Sequence, residues 1–371
     1  MNIKHKKINY IAEINLKSKS AYKHQVLKMC DEFSKKGFKI NLFIINSNNI
    51  SFKKLKKNHI LKNHFTIIQV FKNINNLNFL LRFIFALKIF FILKDKREIL
   101  YSRSVLSSFI FSILGLKNFL EIHQPLSGFT KLIFYLFRKK ILYKTKVIFI
   151  NKNLNKHFSV KNKNFLISDD GVDLKDFILK DKIKFRNSCV YTGSLFEGKG
   201  IELIKEIAKK TKDFDFYVYG DLSTTSQKMI NECSKIKNIK LFGHVEYNKI
   251  PKILRSHKII LMPYSKAVYG NHKSANLSNY MSPLKLFDYL AAGRIIIASK
   301  NNSYSHILKN NKNCILCNST NIEEWIKAIK KVSSKKYNCK KIQDNSLKTS
   351  NLFSWHIRVK NIIRFINKNF I

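Results

Sequence analysis

Short β-rich runs alternate with longer segments of helical period along nearly the whole chain, and this alternation is what most restricts its fold. In the first half the strand candidates are Ile8–Ile14, Ile40–Ile45, Phe65–Val70, Ile99–Ser102, Phe119–Ile122 and Val147–Ile150. Helical segments lie between them, such as Ala21–Lys36, ended by Gly37. The second half repeats the theme with Val190–Thr192, Phe216–Tyr219, Lys240–Phe242, Ile259–Met262 and Ile295–Ala298. Helical runs at Ile201–Thr211, Ser226–Lys235, Ile250–Arg255 and Leu284–Ala292 separate them. Strands separated by helices are joined by crossovers, which makes parallel sheets covered by helices. At 371 residues the chain has room for two such domains. A polar, charged stretch after Gly171 puts the boundary near Asp173–Asn187, giving domains 1–172 and 173–354. The expected class is α/β, with two Rossmann-like, doubly wound domains facing across a cleft. Ligands are expected at the carboxyl ends of the strands and in that cleft.

Charge narrows the partners. With 70 Lys and Arg against 23 Asp and Glu the chain carries +47, a field that attracts phosphorylated substrates and anionic lipid surfaces. Lys, Asn, Ile and Phe are abundant throughout, loops included, so the excess reads as a composition bias spread over the chain. No nucleic-acid-binding motif accompanies it, and no specific nucleic-acid partner is expected. The stretch Phe129–Tyr143 mixes aromatics with Lys131, Arg138, Lys139 and Lys140. It is either a helix lying in a membrane interface or a surface helix packed on a sheet. No segment reaches the apolar length of a membrane span, the nearest, Phe79–Leu93, being interrupted by Arg82 and Lys88. The start, MNIKHKKINYIAEI, has no signal-peptide apolar region, so a cytoplasmic protein is expected. The six cysteines, Cys314 and Cys317 included, have no metal-site spacing and are expected to be reduced thiols; no metal or cofactor is expected.

Two blocks carry chemistry. In Tyr191–Ile204, YTGSLFEGKGIELI, a strand runs through a loop with Gly193, Gly198 and Gly200 into a helix. Glycines let backbone approach a ligand closely, and a helix amino-end turns free N–H groups and partial positive charge toward it. Lys199 adds a full positive charge at the mouth of that helix, a combination suited to a diphosphate. In the second block, YMSPLKLFDYLAAGR from Tyr280 to Arg294, Ser282 reads as an N-cap and Pro283 as the first helical residue. Lys285 and Asp288 then share a helix face, and Leu284, Phe287 and Leu290 point to the core.

The order of these blocks resembles the retaining family-four glycosyltransferases, whose architecture is the two-Rossmann GT-B fold. The resemblance rests on VYTGSLFEGKGIELI, FYVYGD at 216–221, IKLFGHVEYNKIPKILRSHKIILMPYS at 239–265 and SPLKLFDYLAAGRIIIAS at 282–299. It extends to SDDGVDLKDF at 168–177, SAYKHQVLKMCDEFSKKGFKINLF at 20–43, YSRS at 101–104 and EIHQP at 121–125. It implies that Lys199 contacts the donor diphosphate, with Gly193, Ser194 and Tyr264 beside it, and that Met281, Ser282 and Pro283 offer backbone N–H groups. Asp288 would hold the donor ribose, and Gly243 and His244 would cradle the base. Ser20 and Ala21 would lie near the donor phosphates from the N-terminal half, and His123 near the reacting sugar, so that His123 and Lys199 are the catalytic candidates. Three positions depart from the family pattern. Tyr280 and Asp288 stand where the family carries two glutamates, and Ser194 stands where an arginine is frequent, which makes Lys285 the second candidate phosphate ligand. The last segment, Trp355 to the chain end, resembles the family's C-terminal helix, which crosses back to brace the N-terminal domain.

What the resemblance implies is a metal-independent, retaining transfer of a sugar from a nucleotide-diphosphate donor to a glycan or lipid-linked acceptor, in surface polysaccharide biosynthesis. The enzyme is then expected in the cytoplasm, peripheral on the inner face of a membrane and in contact with anionic lipid. The alternatives are a nucleotide-sugar epimerase of the same architecture and a non-catalytic glycan-binding relative, the latter suggested by Tyr280 and Ser194.

Overall fold

A computed structural model describes residues 7–74, 77–93, 95, 98–161, 164–179, 186–269, 276–334 and 337–370. The chain divides into two compact units, Met1–Asp170 with Trp355–Ile371, and Gly171–Ser354.

Among the described residues, the first unit is built on seven strands: β1 Lys7–Ile11, β2 Lys39–Ile44, β3 Thr66–Gln69, β4 Ile99–Ser102, β5 Asn118–Ile122, β6 Thr145–Phe149 and β7 Phe165–Ile167. They pair in the order β3-β2-β1-β4-β5-β6-β7, every pair parallel. The second unit has six: β8 Arg186–Thr192, β9 Phe216–Tyr219, β10 Ile239–Phe242, β11 His257–Met262, β12 Ile295–Ser299 and β13 Ile315–Cys317. Their order, β10-β9-β8-β11-β12-β13, is again all parallel. Both orders have the doubly wound form that reverses beside the first strand, the place where such sheets hold ligands.

The central strands are apolar on both faces because helices cover both. In the second unit Ile259, Leu261, Ile295 and Ile297 join one core with Ile204, Ile207 and Trp325. Ile260, Met262, Ile296 and Ala298 join the other with Leu286, Phe287 and Leu290. The last helix, Trp355–Phe370, packs against helix Ala21–Lys35 of the first unit. It buries Trp355, Val359, Ile362 and Ile366, and its His356 meets Glu32 at 3.0 Å.

Four expectations are corrected. β7 and β13 are absent from the sequence reading; both are three-residue strands at sheet edges, too short for a period to register. The basic aromatic stretch is two helices, Gly128–Leu136 and Arg138–Lys144, broken at Phe137, whose ψ of 18° leaves the helical region. Pro283 is the N-cap residue, with ψ 125°, so helix Leu284–Ala292 starts one residue later than expected. Leu284 is thereby only half-buried, and Leu286 takes its place in the core with Phe287 and Leu290. Ile362→Ala should lower the stability of the first unit by about 2–5 kcal/mol, the usual cost of a cavity at a fully buried position. Urea unfolding would show this as a lower midpoint for one transition, with that of the second unit unmoved.

Candidate active site

The second unit assembles a cationic cradle at the carboxyl ends of its strands. β8 ends at Thr192, and the loop beyond it runs to helix Ile201–Lys210. Two glycines are dictated by this path. Gly193 has φ +142° and lies against the Lys285 side chain, while Gly200 has φ +113° and backs onto the Pro263 carbonyl, where a Cβ would collide.

Tyr191, buried near the end of β8, ties the loop to the lysines. Its hydroxyl donates to the Ser194 carbonyl at 2.7 Å and accepts from Lys285 Nζ at 2.7 Å; the same ammonium stands 3.9 Å above the Tyr191 ring. Tyr264 supplies a second ring, with Lys199 Nζ 5.3 Å and Lys285 Nζ 5.2 Å from its centroid. Aromatic faces compensate part of the lost hydration of a cation. Among the described residues neither ammonium has a carboxylate partner. The energetics register this. Burial pushes Lys199 down to about 8, and burial followed by repulsion from Lys199 pushes Lys285 well below the ordinary lysine range. Such a pair is stabilised by an anion placed between the ammonium groups.

Backbone dipoles add to this. Helix Ile201–Lys210 is capped by Gly200 and helix Leu284–Ala292 by Pro283, neither through a side-chain hydrogen bond. Both amino-ends turn backbone N–H groups and partial positive charge toward the carboxyl ends of the strands. Tyr289 holds the two segments together: its hydroxyl accepts from Thr192 N at 3.0 Å and donates to Thr192 O at 2.9 Å.

Of the other expected donor ligands, Met281 and Ser282 are buried immediately before the helix and Pro283 is its cap. Asp288 lies one turn on from Lys285 and accepts a 3.0 Å hydrogen bond from Tyr247. Gly243 and His244 follow β10 and are exposed, beside a Phe242 ring stacked 4.5 Å from Tyr219. The sheet therefore groups Gly193, Lys285, Lys199 and Tyr264, with Ser194 joined to them through Tyr191, Asp288 one turn on from Lys285, and Gly243 and His244 two strands away.

In the first unit Ser20 and Ala21 are exposed at the start of helix Ala21–Lys35, where the Ser20 hydroxyl accepts from Lys23 N. His123 follows β5, and its Nε2 meets Glu121 Oε1 at 2.5 Å. Glu121 is fully buried. Oε1 also accepts from Gln25 and from Arg358, each at 2.7 Å, and Oε2 accepts from the Tyr101 hydroxyl. Gln25 lies one turn on from Ala21, so the helix carrying Ser20 and Ala21 is tied to the carboxylate that holds His123. Burial raises the Glu121 carboxyl, but Arg358, then His123 and Arg103, outweigh it and keep the group ionised. Burial and the charge of Arg103 push His123 down to about 3 against the pull of Glu121.

Glu121, His123 and Asp170 bring ligand atoms within 4.8 Å of one another, the geometry of a metal site. The donor chemistry does not fit one. Arg358 Nη2 lies 2.7 Å from Glu121 and 3.8 Å from Asp170, so a guanidinium already fills the place of a cation.

Glu121, Arg358, Tyr191 and Tyr247 escape the sequence reading as functional residues. For Glu121 a signal exists, since residues i and i+2 share a face of a strand and its continuation, and Glu121 precedes His123 by two. Arg358, 237 positions from Glu121, leaves no local trace.

Residues 178–349, within the second unit, match the profile of the family described as Glycosyl transferases group 1. TuaH of Bacillus subtilis (strain 168), by name a candidate teichuronic acid biosynthesis glycosyltransferase, is 25% identical over 119 residues. The match spans 32% of this chain but only 28% of that protein. Solved structures are similar over nearly full length. A glycosyltransferase from Rickettsia africae ESF-5 gives a TM-score of 0.76 at 15% identity, covering 98% of each chain. Anabaena Alr3699/HepE, crystallised with UDP and glucose, gives 0.75 at 12% identity over 98% of this chain and 100% of that one. The chain therefore has the GT-B fold, and its second unit is similar to glycosyl transferases group 1.

Proposed function

We propose that the protein is a retaining glycosyltransferase that moves a sugar from a nucleotide-diphosphate donor to a glycan or lipid-linked acceptor in surface polysaccharide biosynthesis. The observation that carries this is the pair Lys199 and Lys285, sharing the Tyr264 ring between two helix amino-ends. Glycosyl transfer builds positive charge at the anomeric carbon and negative charge on the departing diphosphate. Fixed cations and N–H dipoles aimed at that diphosphate lower the barrier without a protein nucleophile. In this reading the two lysines and the helix ends take the charge a divalent ion would otherwise carry. Asp288, steadied by Tyr247, holds the ribose, Gly243 and His244 border the base, and the acceptor hydroxyl attacks from the face the diphosphate leaves. The UDP and glucose of the Anabaena structure make a uridine donor the first to try.

The first unit offers the matching membrane surface. Helices Phe79–Ile92 and Gly128–Leu136 meet through Phe79 and Phe129, whose rings are 5.0 Å apart. Leu80, Phe129, Leu132 and Leu136 are 64%, 63%, 54% and 68% exposed, with Lys131, Lys139 and Lys140 exposed around them. An apolar patch within a basic rim fits an anionic bilayer. Among the described residues no helix is long and apolar enough to cross one.

Three outcomes are expected. In a thermal-shift panel of nucleotide diphosphates one should stabilise the chain, by about 2.7 kcal/mol at 100 times its Kd, and Lys199→Ala should remove the effect. Nucleotide release that needs no acceptor and yields an epimerised donor would replace transfer with sugar interconversion.

The depressed lysines give a pH signature. Diphosphate binding favours their charged forms, so calorimetry in buffers of different ionisation enthalpy should show proton uptake near pH 8, and affinity should fall as pH rises through that value. A group whose folded pKa lies below its unfolded value is protonated more in the unfolded chain, so apo stability should rise across the same window up to the ordinary lysine range.

Finally, the protein should co-sediment with phosphatidylglycerol vesicles and not with phosphatidylcholine vesicles. Leu132→Glu with Leu136→Glu should abolish this while nucleotide binding persists.

A further inference from the structure

Arg358 lies in the helix that ends the chain, yet only 3% of it is exposed. Nη1 donates to the carbonyl of Ser168 and, at 2.6 Å, to that of Asp169, the residues that lead the chain out of the first unit. Nη2 donates to Glu121 Oε1, the same oxygen that faces His123 Nε2. An ionised carboxylate only accepts hydrogen bonds, so the ring nitrogen facing it carries the proton. The imidazole is then the Nε2–H tautomer, with its lone pair on Nδ1. Among the described residues Nδ1 has no protein partner, and the ring is 16% exposed.

We propose that Arg358 is a positioning residue for His123: by fixing Glu121 as acceptor of the Nε2 proton, it sets the ring's tautomer and presents Nδ1 as a hydrogen-bond acceptor for a substrate hydroxyl. The identity of that hydroxyl, on the donor sugar or the attacking acceptor, rests on the transferase reading; the tautomer does not. A neutral ring in this setting orients a hydroxyl by accepting its proton in a hydrogen bond and does not carry the proton away. The link also joins the last helix to the reacting centre through one side chain, which gives a residue remote in sequence a defined part in substrate geometry.

The test uses the full chain labelled with ¹⁵N-histidine, with His123 assigned by its loss in His123→Ala. Long-range ¹H–¹⁵N spectra should show His123 as a neutral Nε2–H ring that does not titrate between about pH 5 and 8. In Arg358→Met the Glu121 carboxylate loses its guanidinium, and His123 should take up a proton near neutral pH as its replacement counter-ion. If that variant fails to fold because a buried charge is left unpaired, Glu121→Met with Arg358→Met removes both charges, and the ring should then show mixed tautomers. Arg358→Lys should retain the wild-type tautomer. In transfer assays with a panel of nucleotide sugars, Arg358→Met should lower kcat roughly 10- to 100-fold, the scale of a misplaced reacting group, with donor KM unchanged. An Nδ1–H ring in the wild type, or an unaltered His123 spectrum in both methionine variants, overturns the proposal. If the wild type transfers from no nucleotide sugar while the spectra behave as stated, the transferase reading falls and the positioning of His123 stands.

Discussion

The hydroxyl of Tyr289 makes two hydrogen bonds to one residue, accepting from Thr192 N and donating to Thr192 O. Those backbone groups lie at the end of β8, where the ladder stops and buried polar groups need other partners. By satisfying both, a side chain from the middle of helix Leu284–Ala292 fixes the distance between that helix and the strand. The start of the glycine loop and the first turn of the helix then have one relative placement. Lys285 consequently lands on Tyr191 and against Gly193, and Lys199 lies 5.3 Å from the centre of the Tyr264 ring. Two ammonium groups without a carboxylate would relax apart on a loose scaffold. Here strand, ring and helix hold them in place, and burial, with mutual repulsion at Lys285, lowers the proton affinity of both.

The use of acidic residues follows the same economy. With few carboxylates against many cations, several of them are engaged by neighbouring donors. Glu121 serves four donors at once, Asp31 accepts from the backbone of Lys62 and Asn63, and Asp288 steadies Tyr247. The positive excess on the surface governs which surfaces the protein approaches.

Much of the architecture is legible in the sequence, for reasons that differ by residue. The buried strands Ile259–Met262 and Ile295–Ala298 announce themselves as apolar runs between helical segments, and β11 and β12 contain them. The glycine loop is readable because Gly200 has a backbone conformation other residues avoid. Lys199 and Lys285 follow from where the strands and helices start, since a lysine at a helix mouth is at the carboxyl edge of a parallel sheet by construction. The N-cap at Pro283 escapes because Ser-Pro matches a common helix start as well as the residue pair before one. What stays hidden is the set of contacts between distant segments. Nothing near Tyr191 or Tyr247 in sequence says that each will hold a charged group of the helix Leu284–Ala292, because that depends on sheet order and not on local pattern. Arg358 is the extreme case, its role being created by where the last helix packs.

The first unit is not contiguous in the gene product, since its first segment ends at Asp170 and its bracing helix begins at Trp355. On a ribosome working at about 5–20 residues per second, the whole of Gly171–Ser354 must be made first, a delay on the order of 10–40 s. Throughout that interval the Glu121 carboxylate lacks its guanidinium, and the apolar seat of Val359, Ile362 and Ile366 is bare. The second unit, complete in one stretch, is able to finish folding before the first. The first unit, although its synthesis starts first, is therefore the last to have all of its core residues present.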